Sequence, residues 1–265
     1  MGNRVFFKRS ILLVVLLVVV ACGANAQTVK LDYFFNREVH NVNGQPVRFH
    51  YLWDEQENTG FSIFGNAFKK QGATLDSLAT APTEANLKGT AIYIIVDPDT
   101  KKESPKPNYI TATGAGAIAA WVKQGGVLVM MANDSANVEL PHFNLLAEKF
   151  GMHFNNDLQN HVIDDNHFED GALNTKGNFL FKTACKIFMK DVCSISVIGK
   201  AKAALSKNGY AIIATAKYGK GTVLAVGDPW LYNEYTNGRL PASFENDKAA
   251  NDIADWLLKQ VPVTK

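Results

Sequence analysis

The chain has 265 residues, 27 Lys and Arg against 25 Asp and Glu, and a hydrophobic fraction of 47%. That length buries one sizeable core, and no pattern in it calls for a second. The near balance of charge leaves no basic surplus to grip a polyanion, which argues against a nucleic-acid partner.

The chain opens with Arg4, Lys8 and Arg9, followed by the uncharged run "ILLVVLLVVVA". Such a run is too short to cross a bilayer as a helix, which takes about 20 residues. A basic start, a short apolar middle and Ala24-Asn25-Ala26 before Gln27 read as a secretory signal peptide over 1–26. A competing cut at "VVAC" would leave Cys22 for lipidation, and only then would the protein be tied to a membrane. Either cut implies an exported, periplasmic protein. Removing the three leader bases leaves 24 Lys and Arg against 25 acids in the expected domain, 27–265.

"TVKLDYFF" (28–35) has strand content, and a polar, aromatic-rich loop follows as far as Gly60. Phe61, Phe64 and Phe68 at helical spacing predict a helix that stops at Gly72. "ATLDSLA" reads as a short strand. "TAIYIIVD" (90–97) is a continuous apolar run, the mark of a strand covered on both faces. A helix is predicted within 109–126, with Ile118, Trp121 and Val122 on its apolar stripe and Gly125-Gly126 at its end. "VLVMMA" (127–132) is the next buried strand, and "HFNLLAEKFG" (142–151) the next helix.

From 152 to 183 the pattern weakens into a polar excursion over the surface. Strand signals return in "KIFMKDVCSISVIG", "AKAALS" and "YAIIATAKYGKG", with a hairpin turn at 218–221 leading into "TVLAVGD". The segment 246–261 predicts an amphipathic closing helix with Ile253, Trp256 and Leu257 inward. Alternating strands and helices with doubly covered strands define an α/β fold with a mainly parallel sheet, and the late hairpin adds an antiparallel portion. Cys185 and Cys193 either pair or stay as free thiols. In one straight strand they would stand about 26 Å apart, so pairing needs a turn near Lys190-Asp191.

In open α/β sheets ligands bind outside the carboxyl ends of the strands. The loops expected at that edge are unusually polar. They carry His50, Tyr51, Trp53 and Asp54; then Asp97 and Asp99; then Asn133, Asp134 and His142; then "GDPWLYNEY" with Asp228, Trp230, Tyr232, Asn233 and Glu234. The opposite loops, "KKQG" and "KQGG", are ordinary turns. The asymmetry predicts a polar crevice at the carboxyl edge, with Trp230 in its wall. Each residue also has a plainer reading: Asp228-Pro229 as a strand stop, Trp230 as a cover for the core, Asn133 and Asp134 as helix caps, and His142 as packing. Asp97 with Asp99, or "HVIDDNH" (161–167), could contribute metal ligands, but no complete ligand set stands at recognisable spacing; neither metal nor cofactor is expected. Ser135 lacks the flanking glycines of a nucleophile elbow.

The runs "YGKGTVLAVGDPWLYNEY" and "NDKAANDIADWLL", with "AIYIIVDPDT…WVKQGGVLVMMAND", resemble class I glutamine amidotransferase-like domains of exported Bacteroidetes proteins. These occur alone or joined to unsaturated rhamnogalacturonyl hydrolases of glycoside hydrolase family 105. The resemblance implies a flavodoxin-like, three-layer amidotransferase-type sandwich. It does not imply glutaminase chemistry: where the family's nucleophilic cysteine follows the strand matching "VLVMM", this chain has Asn133-Asp134-Ser135.

Three functions are expected to compete. The first is a binding or accessory module for acidic plant-wall oligosaccharides in pectin and rhamnogalacturonan utilisation. Trp53, Trp230 and Tyr232 would give sugar rings a platform; Asp97, Asn133, His142 and Asn233 would bond hydroxyls; Arg239 would meet a uronate carboxylate. The second is a hydrolase with paired carboxylates, Asp134 with Asp228 or Glu234. The third is a structural domain docked on a rhamnogalacturonyl hydrolase.

Overall fold

The structure is a computed structural model that describes Gly2, residues 26–134 and residues 136–263. The expected leader over 1–26 falls, apart from Gly2 and Ala26, outside the described residues, as do Cys22 and Ser135. The chain runs through β1 (Thr28–Asp32), the hairpin β2 (Val39–Val42) and β3 (Gln45–Arg48), α1 (Ser62–Lys70), β4 (Thr74–Leu78), β5 (Ile92–Val96), α2 (Ala112–Gln124), β6 (Val127–Met131), α3 (Leu140–Ala147) and β7 (Met152–Phe154). It continues through β8 (Ala172–Asn174), β9 (Lys186–Phe188), β10 (Ile195–Val197), β11 (Lys202–Lys207), β12 (Tyr210–Tyr218), β13 (Gly221–Val226), α4 (Asn233–Thr236) and α5 (Asn246–Gln260).

Seven strands form one sheet in the order β11-β12-β13-β6-β5-β1-β4. From β13 to β4 every pairing is parallel, and β11 and β12 join antiparallel at one side. The chain goes outward from β1 to β4, then returns past β1 to β5. The winding direction therefore reverses between β1 and β5. Two-stranded antiparallel sheets, β2–β3, β7–β10 and β8–β9, decorate the long connections. The run 186–199, expected as strand, divides into β9 and β10, which pair with different partners.

Alternation along the central strands separates two cores. Ile92, Ile94 and Val96 face one cluster with Phe64 and Phe68 of α1 and Ile253 and Leu257 of α5. Tyr93 and Ile95 face the other, with Ile118 and Val122 of α2 and Phe143 of α3. Because both faces are covered, the central parallel strands β5, β6 and β13 are buried throughout, whereas β4 at the sheet margin carries exposed polar residues. α2 starts where the Thr111 side chain accepts the Gly114 N–H, and stops at Gly125, whose φ of 129° suits glycine. α5 carries two buried polar side chains, each satisfied across the gap to the excursion. Asn246 bonds both the N–H and the carbonyl of Phe188, and Asp252 accepts the Thr183 and Ala184 N–H groups.

Cys185 and Cys193 are both free thiols, the first exposed and the second buried. Burial pushes the Cys193 thiol up, as does the charge of Asp157, so this sulfur stays a protonated core group. The backbone of Cys193 passes close to Gly227: its N–H donates to the Gly227 carbonyl at 3.1 Å, and a Cβ on Gly227 would meet the Cys193 oxygen at 2.0 Å. Only glycine leaves room there. We expect Gly227→Ala to destabilise the fold by about 1–3 kcal/mol, read as a lower urea midpoint with unchanged m-value.

Candidate functional site

The parallel register ends β5, β6 and β13 at one level, because Val96 and Val226 both pair with Met131. One residue beyond β5 and two beyond β6 and β13, Asp97, Asn133 and Asp228 therefore lie at the carboxyl edge. Asp97 and Asp228 are each 4% exposed. The Tyr51 hydroxyl donates to Asp97 Oδ2 at 2.9 Å, and Asn133 Nδ2 donates to the same oxygen at 3.2 Å. Asp97 Oδ1 and Asp228 Oδ2 are buried with no hydrogen-bond partner among the described residues. The Tyr51 and Tyr232 rings meet edge-on over this cluster, centroids 6.1 Å apart.

Backbone strain concentrates at the same place. Asp97, Tyr51 and His50 have φ of 45°, 57° and 67°, in the left-handed region that side chains with a Cβ rarely adopt. Asp97 is held there on several sides. Its N–H donates to the Met131 carbonyl, and its own carbonyl accepts Asn36 Nδ2 at 3.0 Å. Asp99 continues the acidic line, its Oδ2 taking the Arg37 N–H at 2.9 Å and its Oδ1 unpartnered. Between β1 and β5 the gap is thus filled by the chain itself, where Asp99 N also donates to the Phe35 carbonyl.

Burial is the largest cause of the shifted acidities here. It raises Asp97 and Asp228 well above the usual carboxylate range; the charge of Glu103 adds to the shift of Asp97, and that of Asp97 to the shift of Asp228. Asp99 is pushed up to about 7 and Asp32, which accepts the Tyr93 hydroxyl, to about 6, both by desolvation first. Glu103 is raised for the same reason, and Tyr51 and Tyr232 are raised by burial beside these acids. The edge accordingly holds two buried acids, Asp97 and Asp228, that keep their protons well above the usual carboxylate range, beside the phenols of Tyr51 and Tyr232.

The other sequence candidates are placed differently. Trp230 is 1% exposed and packs edge-on to Phe181 in the core, so it covers the core rather than walling a crevice. Asn233 is buried as a clamp: Nδ2 donates to the Glu55 and Glu57 carbonyls and to Ser62 Oγ, while Oδ1 accepts the Ile63 N–H. Trp53 lies on the α1–β4 flank, against Phe64 and Phe68, and Nε1 donates to the Asp76 carbonyl at 3.0 Å. His142 stacks on Tyr109 at 4.5 Å and shares Nδ1 with Glu139 at 2.9 Å. Asp134 is committed to its own turn, accepting the Ala136 N–H and Asn137 Nδ2. Glu234 is ion-paired with Arg239, which also reaches Asp165 at 2.6 Å. Asp134, Asp228 and Glu234 are thus engaged in three different environments.

His161 and His167 each pair with a different aspartate, Asp191 and Asp164. Among the described residues no three His, Cys, Asp or Glu side chains are grouped to hold a metal ion, and no helix is long and apolar enough to cross a membrane. The carboxyl-edge residue that sequence reasoning undervalued is Tyr51. In the sequence its loop points first to Trp53; the left-handed turn that aims Tyr51 inward leaves no mark in composition.

No family model matches the chain, and no curated protein matches it. Solved structures do resemble it. The mmIFT52 N-terminal domain superposes with a TM-score of 0.62 at 18% identity, over 87% of this chain and 97% of that one. A cytoplasmic protein from Salmonella typhimurium LT2 gives 0.56 at 11% identity, over 87% and 99%. A cold-adapted β-galactosidase from Rahnella sp. R3 gives 0.50 at 14% identity, over 90% of this chain but only 32% of that one. At these identities the likeness is one of fold: a mixed α/β domain built on a largely parallel seven-stranded sheet.

The raised acidities have a signed consequence. The folded protein keeps these protons to higher pH than the unfolded chain does. The stability they contribute is therefore full below the ordinary carboxyl value of about 3.8 and is lost as pH rises through the folded values, about 6 for Asp32 and about 7 for Asp99. We expect Asp228→Asn, which cannot ionise, to be more stable than the parent, with the gain in urea midpoint growing from pH 5 to pH 8. A gain independent of pH would contradict the buried-acid account.

Proposed function

We propose that the chain is a non-catalytic, amidotransferase-like accessory module of exported carbohydrate utilisation, which binds acidic oligosaccharides of the pectin and rhamnogalacturonan type. One observation carries the non-catalytic part. At the strand ends where such folds place their chemistry, Asp97 and Asp228 are buried and Asp134 is tied into its own turn. The position after β6 that would bear the amidotransferase cysteine has Asn133 and Asp134, which are tied into local hydrogen bonds. The parallel strands, numbered among themselves, run 2-1-3-4-5, which supports the flavodoxin-like assignment. The recurrence of the fold as about a third of a β-galactosidase chain agrees with a component of larger sugar-processing proteins.

The competing reading is a hydrolase with Asp228 as acid. It draws on the raised acidity of that carboxyl, the property a general acid needs. Against it, the carboxyl is buried, and Asp134 and Glu234 are engaged elsewhere. We expect neither ammonia from glutamine nor new reducing ends from rhamnogalacturonan fragments, assayed with the same preparation that gives a heat of oligosaccharide binding. Product release lost in Asp228→Asn would replace the module with the hydrolase.

A further inference from the structure

The carboxyl edge is acidic and closed, so a carboxylate-bearing ligand needs another place. Such a place lies at the opposite edge of the sheet, where β13 begins. A groove of about 600 Å³ runs there between β12 and the last turns of α5, with Phe179, Lys200, Lys202, Lys217, Trp256 and Gln260 among its lining. That is within the roughly 300–1,000 Å³ typical of small-ligand sites. No acid lines it.

Three features make this a built surface rather than a chance hollow. First, Phe179 is 58% exposed although its neighbours Leu180 and Phe181 are buried at 1% and 4%. The segment is pinned, because Asn178 Nδ2 donates to the Ala204 carbonyl at 2.7 Å and Asn178 Oδ1 accepts the Leu180 N–H at 2.9 Å. The phenyl ring is therefore held out to solvent by an anchored turn. Second, the Trp256 indole stands beside it, centroids 6.2 Å apart and tilted by 59°, so that two ring surfaces flank one space. Third, Lys200, Lys202 and Lys217 have no carboxylate within 4.0 Å among the described residues, whereas Lys182 and Lys259 nearby both pair with Asp255. Lys217 is set in place by neutral acceptors, Thr222 Oγ1 at 2.7 Å and Gln260 Oε1 at 3.0 Å, which leaves its charge uncompensated.

An exposed phenyl ring and a half-buried indole beside uncompensated ammonium groups suit a ligand with an apolar ring face and a carboxylate at its rim. We propose that this groove is the anionic-sugar site of the protein: one uronate ring lies against Phe179 and Trp256, and its carboxylate meets Lys200 or Lys202. The site rests on the module reading above and gives it a location. Three lysines on a chain of nearly balanced charge match a ligand with one or a few carboxylates better than a nucleic acid, whose phosphates call for a broader basic surface.

The test is titration calorimetry of the chain with trigalacturonate, a neutral galactotriose and a short single-stranded oligonucleotide, followed also by tryptophan fluorescence. Trigalacturonate should bind, quench fluorescence and weaken with added salt, while the neutral trisaccharide binds on the order of tenfold more weakly or not at all. Phe179→Ala and the double variant Lys200→Ala/Lys202→Ala alter only exposed side chains and should each lose on the order of tenfold in affinity. If trigalacturonate binds and these variants bind it unchanged, the groove assignment falls while the module reading stands. If trigalacturonate fails to bind, or the oligonucleotide binds more tightly, the anionic-sugar site is overturned. If trigalacturonate is cleaved, the non-catalytic reading fails, and the groove survives only if the same variants raise KM.

Discussion

Everything at the carboxyl edge follows from burying Asp97 at the end of a doubly covered strand. A carboxylate in such a place is costly unless it is paired or protonated. Among the described residues no cation pairs with it within 4.0 Å; instead Tyr51 and Asn133 donate to one oxygen, and burial raises its pKa well above the usual carboxylate range. To bring the Tyr51 hydroxyl there, two consecutive residues adopt left-handed backbone, and Asp97 itself does the same. Such strain persists only where the surroundings over-determine it. Here the surroundings are the β5–β6 ladder, the Asn36 contact, and the Asn233 clamp that fixes the 55–63 segment.

The architecture was largely legible in the sequence because the apolar runs 92–96, 127–131 and 221–226 are continuous, which only a two-faced burial explains. The converging loops were legible as well, since parallel strands put their carboxyl ends on one side. What composition left open was whether those loops enclose space or fill it. Trp230 and Asn233 look the same on paper as binding residues and as core packing; the fold uses the first as a core ring and the second as a four-bond clamp. Tyr51 depends on a backbone conformation that no residue-type rule for tyrosine foretells. The β2–β3 hairpin and the division of 186–199 into two strands were hidden for a related reason. Short two-stranded sheets are held by tertiary context more than by their own propensity.

The two ends of the sheet are chemically unlike. At the carboxyl end the loops bring acids together and exclude water; at the amino end of β13 the surface offers lysines and two ring faces. A single α/β layer thus separates a closed acidic junction from an open basic groove. The long excursion between β6 and β11 serves both ends. Asp157, Asp164 and Asp191 sit in its turns, while Phe179 is presented from its anchored loop.

β13 is an interior strand, seated between β6 and β12 and arriving some ninety residues after β6 in the chain. Until it is synthesised, the backbone groups along β6 lack a neighbour on that side, and the 51–62 segment lacks Asn233. Closure of so distant a pairing is slow by loop-entropy arguments. The half-made protein therefore carries an unprotected apolar rim, and its productive folding depends on keeping that rim from meeting another copy of itself.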